Sequence, residues 1–397
     1  MSDARPVECS ILRGGTSRGI FFASDVLPDD RPTIERILLD VFGSPDIRQI
    51  NGLGGATSQT SKAAIIGPPT RPDADVDYTF AQVSVNGALV DWGGNCGNLS
   101  AAVGPYAIDR GVVAARGEET TVRIHNTNTG KIIVARVPTS DGRAAIAGDY
   151  AIPGVPGTGA RILLEFTEPA GSVTGSLLPT GAPRDEVTLR DSRRLSVSVV
   201  DAANPTVFLL ADELGMTGTE LPAEIEARTD VTDTLEEVRG LIAERIGIVA
   251  DRSEATSRSP GLPKVGFVAP PRDYRTTTGE TIPADAIDVT GRLMSMQTAH
   301  RSYMVTGAIC TAAAAFVEGT VVRAVARPRG ERPEPDTLRI AHPYGVMEAI
   351  VRAQATAGAV RIEGVSVGRT ARHILDGVVW VPASLLAPTA EAAAGVA

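Results

Sequence analysis

Lysine is almost missing from this 397-residue chain: of its 38 Lys and Arg residues only Lys62, Lys131 and Lys264 are lysines, leaving 35 arginines. Cysteine and histidine are as sparse, with 3 and 4 residues. Cys9, Cys96 and Cys310 are odd in number, far apart and without a CxxC, which argues against a disulfide framework and against a zinc knuckle. His125, His342 and His373 show no metal-ligand spacing, and no redox-cofactor motif is present. No basic block exists and the net charge is −9, so the chain is a poor candidate for binding nucleic acid. No apolar run approaches the ~20 residues that cross a bilayer, the longest being the short, alanine-rich stretch around Ile309–Val317. The opening Met1-Ser2-Asp3-Ala4-Arg5 has no apolar signal core. The expectation is a cytoplasmic protein with neither a nucleic-acid nor a membrane partner, and without metal or cofactor.

What is present is a core-forming composition, 43% hydrophobic and 21% charged, on a length that favours two domains. Comparing the chain with itself finds four short matches in the same order. Gly19–Pro28 resembles Thr206–Gly215, and Ser61–Pro69 resembles Pro263–Pro271, lysine included. Cys96–Val103 resembles Thr306–Ala313, and Thr121–Ile124 resembles Thr337–Ile340. The order predicts two similar halves related by duplication, 1–187 and 188–386, joined near the turn-rich Pro179–Leu189, with 387–397 as a flexible tail. Equivalent loops of two such halves face each other, and the cleft between them is the expected ligand site.

Each half reads as strand, tight turn, strand, helix, two strands, a central helix and more strands. Ile34–Val41 and Leu235–Ile246 have helical spacing, and Ile65–Ile66, Ala81–Val85, Val122–Ile124, Lys131–Val137 and Arg161–Phe166 read as strands. Leu99–Ile108 and Ile309–Val317 are small and apolar on all faces, as buried helices are. The fold class expected is α+β, a curled sheet around one central helix per half.

The candidate chemistry gathers at the starts of those two helices. Asp91-Trp92-Gly93-Gly94-Asn95-Cys96-Gly97-Asn98 places glycines and a cysteine at a helix N-terminus, where free N–H groups and the dipole favour an anion and lower a thiol pKa. Val305-Thr306-Gly307-Ala308 is its equivalent, so a symmetric pair of thiols is absent and Thr306 stands in place of the second. Two opposed N-termini suit a substrate with two or more carboxylates. Gly52–Lys62 is a Gly- and hydroxyl-rich loop that fails the GxxxxGK[ST] pattern and instead delivers Lys62 to a strand edge, where a desolvated lysine can act as a base. Lys264, its duplicate, suits a carboxylate, and the Arg13–Gly19 turn adds hydroxyls and N–H groups. His300 beside Ser302 reads as a ligand group or, more commonly for a lone histidine, as core or surface. An acid, a base and helix N-termini to hold an enolate are equipment for moving a proton without a cofactor.

Several of these stretches, RGGTSRG at Arg13–Gly19, GSPD at Gly43–Asp46, GLGGATSQTSKAAII at Gly52–Ile66, VDWGGNCGN at Val90–Asn98 and GRTARHILDGVVWVP at Gly368–Pro382, resemble the 2-methylaconitate cis-trans isomerase (PrpF) family, which includes 4-oxalomesaconate tautomerases. The resemblance implies a diaminopimelate-epimerase-like fold of two pseudo-equivalent domains. It implies Lys62 and Cys96 as the acid/base pair, with Ser17, Asn95, Gly97, Asn98, Lys264, Thr306 and Gly307 binding a small polycarboxylate; Ser302, read from its place beside His300, is expected to join them. The activity implied is a cofactor-independent cis-trans or allylic isomerisation of 2-methylaconitate, aconitate or methylitaconate. A 4-oxalomesaconate tautomerase, or a non-catalytic accessory to an aconitase-like dehydratase, stands as the alternative, and a homodimer is left open.

Overall fold

The structure is a computed structural model that describes residues 3–356 and 359–386; the tail expected over 387–397 lies outside the described residues. Setting aside strands of four residues or fewer and helical segments of five or fewer, the first half runs β1 (Ala4–Gly14), β2 (Ser17–Ala23), α1 (Arg31–Phe42), β3 (Lys62–Gly67), β4 (Val76–Val83), α2 (Gly97–Asp109), β5 (Glu119–Asn126), β6 (Lys131–Ser140) and β7 (Ile162–Thr167). The second half repeats that order as β8 (Arg194–Ala202), β9 (Asn204–Leu210), α3 (Thr229–Arg245), β10 (Lys264–Ala269), β11 (Val289–Ser295), α4 (Val305–Phe316), β12 (Thr337–His342), β13 (Gly345–Thr356) and β14 (Ala359–Arg369). A last strand, β15 (Ala371–Pro382), follows.

Register carries the duplication further than element order does. β2 runs parallel to β3 with Ile20 opposite Ala63, and β9 runs parallel to β10 with Val207 opposite Val265. Ala64 faces Phe80 across the antiparallel β3–β4 pair as Gly266 faces Leu293 across β10–β11. Val76 faces Ile124 across parallel β4–β5 as Val289 faces Ile340 across β11–β12. The two sheets join at β7 and β14, antiparallel, with Leu164 opposite Val367. Each half is also closed by a strand from beyond its own repeat: β15 pairs along all of β1, from Ala4–Pro382 to Gly14–Ala371, and Asp185–Thr188 pairs with β8.

Local chemistry sets the helix limits. The helix expected over Ile34–Val41 extends to Arg31–Phe42 because Asp30 caps it by accepting from the Thr33 amide at 2.9 Å, Pro32 suits its first turn, and Gly43 ends it in the left-handed region. The helix expected over Leu235–Ile246 begins earlier, at Thr229. The strand expected over Ala81–Val85 instead spans Val76–Val83, since its first residues pair with β5, a partner distant in sequence.

α2 is buried from Gly97 through Ile108 and α4 over its whole length, α4 enclosed by strands of its own half and α2 by strands of the first half together with β15. No single helix among the described residues is long and apolar enough to cross a membrane. The all-round apolarity of α2 and α4 is what an internal helix needs. Two glycines allow α2 to sit where it does. A Cβ on Gly14, at the β1–β2 turn, would lie 2.5 Å from the Asn98 carbonyl oxygen, and a Cβ on Gly97 would lie 2.6 Å from Cγ1 of Val305, the first residue of α4. The two helices therefore meet N-terminus to N-terminus, in a contact that tolerates no side chain. Gly97→Ala is expected to cost about 1–3 kcal/mol through overpacking; an unchanged denaturant midpoint would show that the contact yields freely.

Candidate active site

The cleft at this meeting point is lined from both halves, with about 570 Å³ of space between atoms, its mouth included. Ser17 and Asn204 open strands β2 and β9, and Lys62 and Lys264 open β3 and β10, so the duplication sets two pairs of equivalent residues facing one another. Cys96 caps α2, its sulfur accepting from the Leu99 amide at 3.5 Å and standing 3.8 Å from Ser17 Oγ. The first amides of α2 and α4 have no acceptor within their own helices and carry the positive ends of two dipoles.

Lys62 is buried. Its ammonium donates to Gln82 Oε1 at 2.5 Å and lies over the Phe80 ring, 5.1 Å from the centroid. Gln82 is in turn fixed by donating to the carbonyls of Ser61 at 2.8 Å and Ser58 at 3.1 Å. Lys264 is pushed down to about 8, first by desolvation and then by the neighbouring Lys62 ammonium, against the pull of Asp91 and Cys96. Asp91 accepts from Gly93 N at 2.8 Å and from Gly261 N of the other half at 3.1 Å. His300 is driven down to about 4 by burial, with both lysines acting the same way.

Of the residues singled out from the sequence, Ser17, Lys62, Asn95, Cys96, Gly97, Asn98, Lys264 and Thr306 line this cleft together. Ser302 and Gly307 do not. Ser302 is buried behind the lining, its hydroxyl 3.1 Å from Thr16 Oγ1, and Gly307 packs against the Leu293 side chain. Thr306 is also placed differently from expectation: α4 starts at Val305 with Met304 as its N-cap, so Thr306 lies inside the first turn, and Met304 holds the place that Cys96 has in α2. Cys310 is buried and donates to the Val200 carbonyl at 3.0 Å, so burial raises its pKa to about 12.

Among the polar residues of the cleft that were not anticipated, Asn204, Gln82 and Asp91 have roles the contacts define. Asn204 accepts from Asn95 N at 3.1 Å and donates to Asn95 O at 3.0 Å and Thr306 Oγ1 at 3.3 Å, tying the two helix starts together. Its signal was in the repeat, where it matches Ser17. Gln82 faces Lys62 directly in the β3–β4 register, which no local pattern reveals. Asp91 stood within the Val90–Asn98 motif and was left without a role.

A profile described as "PrpF protein" matches residues 5–382. A 3-methylitaconate isomerase of Eubacterium barkeri is 47% identical over 382 residues, covering 96% of this chain and 98% of that one. A 4-oxalomesaconate tautomerase of Pseudomonas putida is 41% identical, covering 94% and 96%. The crystal structure of a methylitaconate-delta-isomerase superposes with a TM-score of 0.78 at 46% identity, covering 98% and 99%. The fold is the diaminopimelate-epimerase-like one.

Lys264 yields a pH test. Its ammonium is charged below about 8 and lost above, so affinity for a small tricarboxylate is expected to fall as pH rises through 8, with proton uptake on binding above it. Calorimetry in buffers of different ionisation enthalpy measures both. Lys264→Met should weaken binding at pH 7 and flatten the profile; an unaltered profile in that variant would place the titrating group elsewhere.

Proposed function

The chain belongs to the PrpF protein family, and from that premise we propose that it is an isomerase that moves a proton on an unsaturated di- or tricarboxylate, with Lys62 and Cys96 as proton carriers and no cofactor. The observation that carries the reading is the company these two residues keep: they line one cleft with the opposed N-termini of α2 and α4 and with Lys264. Relatives named as acting on 3-methylitaconate and 4-oxalomesaconate support the substrate class.

In this mechanism one of the pair takes the proton from a carbon flanked by a carboxylate and a C=C bond. The electron pair left behind spreads over the double bond into the carboxylate, as a dienolate. Helix N-terminal amides, Asn95, Asn98, Ser17, Thr306 and Lys264 hold the oxygens on which that charge develops. A proton delivered to the far carbon of the former double bond completes an allylic shift; return to the original carbon after rotation completes a cis-trans change. No electron leaves or enters, so the balance needs no oxidant. Gln82 and Phe80 fix the Lys62 ammonium in direction, which makes the proton transfer geometrically selective. The acidic charge balance of −9 goes with a small-molecule partner rather than a nucleic acid, and the proposal places the protein in the cytoplasm.

The test is a panel of methylitaconate, methylaconitate, aconitate and 4-oxalomesaconate in deuterated water, followed by proton NMR. Deuterium at an allylic carbon or a shifted double bond is expected with at least one acid, and kcat/KM across the panel identifies the substrate. Lys62→Ala and Cys96→Ser should each lower kcat about 10²–10⁴-fold with the fold kept. Full activity in both variants would sink the mechanism, and binding without any exchange would favour an accessory role.

A further inference from the structure

The two halves share a scaffold but finish their outer edges differently. In the second half the closing strand Asp185–Thr188 is short and charged: Glu186 pairs with Arg194, Asp185 pairs with Arg245, and its apolar Val187 is buried. Short length and charge are what keep a sheet edge from pairing with another chain. In the first half the closing strand is β15, 12 residues long, and among the described residues its only strand partner is β1. It has no lysine, and its one proline, Pro382, is its last residue. Four of the large hydrophobic side chains exposed among the described residues lie on it: Ile374, Leu375 (53% exposed), Val378 and Trp380 (63%). A bulge opposite Ile11 and Leu12 takes up Ile374, which leaves Leu375–Pro382 regular. The one acidic side chain of that stretch, Asp376, is held by Ser10 and Arg110.

The surface beside this edge differs as well. In the second half the space between the end of α4 and strands β8, β9 and β10 is filled by one helical turn, Val321–Val325, whose Val321 and Val322 are buried. The equivalent space of the first half is an open groove of about 1080 Å³ between atoms, its mouth included, lined by Glu8, Val26, Ile66, Tyr106, Arg110 and Val112 among others. Glu8 faces Val378 across the β1–β15 pair and Arg110 is bonded to Asp376, so groove and edge form one continuous surface.

We propose that this surface is where a second copy of the chain docks, with β15 lying antiparallel to its own copy about a two-fold axis at Val378 and Val379. A two-fold axis pairs a strand with itself in the antiparallel sense, so an unguarded edge is its own complement. At the centre of the regular stretch the axis sets Trp380 opposite Gly377 of the copy. A Cβ on Gly377 would meet nothing within 4 Å, so the ring has room to lie over that backbone. Asp376 falls opposite Val381, and the two copies' carboxylates do not oppose each other. The regular stretch supplies about 27 Å of edge at ~3.4 Å per residue; the adjoining groove widens the contact toward the roughly 800 Å² per partner of a specific interface. The docking is independent of the proposed reaction, since neither Val378 nor Trp380 lines the cleft.

Sedimentation velocity on the full chain at micromolar concentration should show a dimer or a multiple of it. Val378→Lys and Trp380→Lys, which place on this edge the guard it lacks, should each weaken the association at least tenfold and keep the parent's far-UV circular dichroism. Val378→Cys should form disulfide-linked dimers on mild oxidation; Ile47→Cys, on an exposed loop elsewhere, should stay unlinked, as should the parent. A larger parent assembly that the lysine variants halve supports the same contact. A monomeric parent, an assembly that both lysine variants leave intact, or a Val378→Cys chain that links no faster than Ile47→Cys would overturn it.

Discussion

Two buried helices point their N-termini at the same small volume, and the rest of the molecule is arranged around that constraint. Like ends of two dipoles repel, and nothing in the apolar surfaces of α2 and α4 offsets this. What holds them is the sheet around each helix and the absence of a side chain at Gly97, against which Val305 packs. Asn204 fastens the same junction with three hydrogen bonds to Asn95 and Thr306. Into the resulting positive field the fold adds two lysine side chains. The Lys264 shift from 10.5 to about 8 means that keeping it charged costs on the order of 3 kcal/mol relative to water. A polyanion that enters the cleft relieves that cost.

The scaffold is symmetric and the chemistry is not. Equivalent registers bring Ser17 opposite Asn204 and Lys62 opposite Lys264, yet only one lysine has a glutamine at hydrogen-bond distance and an aromatic ring beneath it. Only α2 has a cysteine as its cap; α4 has Met304. A duplicated fold supplies two opposed helix N-termini, and in the proposed mechanism divergence at a few cleft positions turns one end into a proton-transfer site. The exchanged closing strands, β15 on β1 and Asp185–Thr188 on β8, keep the halves from drifting apart, as groups on opposite walls of one cleft require.

Much of this was legible in the chain. The repeat matched Thr206 to Gly19 and Lys264 to Lys62, and those matches are what the strand registers reproduce. Leu99–Ile108 and Ile309–Val317 announced buried helices because nothing polar enough for a surface occurs on any face. The failures have a common cause. Gln82 reaches Lys62, β15 reaches β1, and Val76 joins β4 through pairings between residues distant in sequence, which local periodicity does not encode. Ser302 was read by its proximity to a histidine, but a residue one turn from a cleft can face away from it, and here only its backbone amide acts toward the site. Asn204 was within reach, since it opens its strand as Ser17 does.

The choice of lysine in a chain of arginines follows from the same electrostatics. A guanidinium retains its proton at any physiological pH and, placed where Lys62 lies, could bind a carboxylate but never exchange a proton with carbon. An ammonium in a desolvated, cationic cleft has a pKa that the surroundings can move into the working range, as Lys264 shows. The third lysine marks the contrast: Lys131 donates to the Ala170 carbonyl at 2.8 Å, away from the cleft, a task that arginine does equally well. Where the residue only holds structure or charge, this chain uses arginine almost without exception. Both departures within the cleft fall on the first residues of β3 and β10, one a carrier of the proton and the other a cation for the substrate's carboxylates in the proposed chemistry.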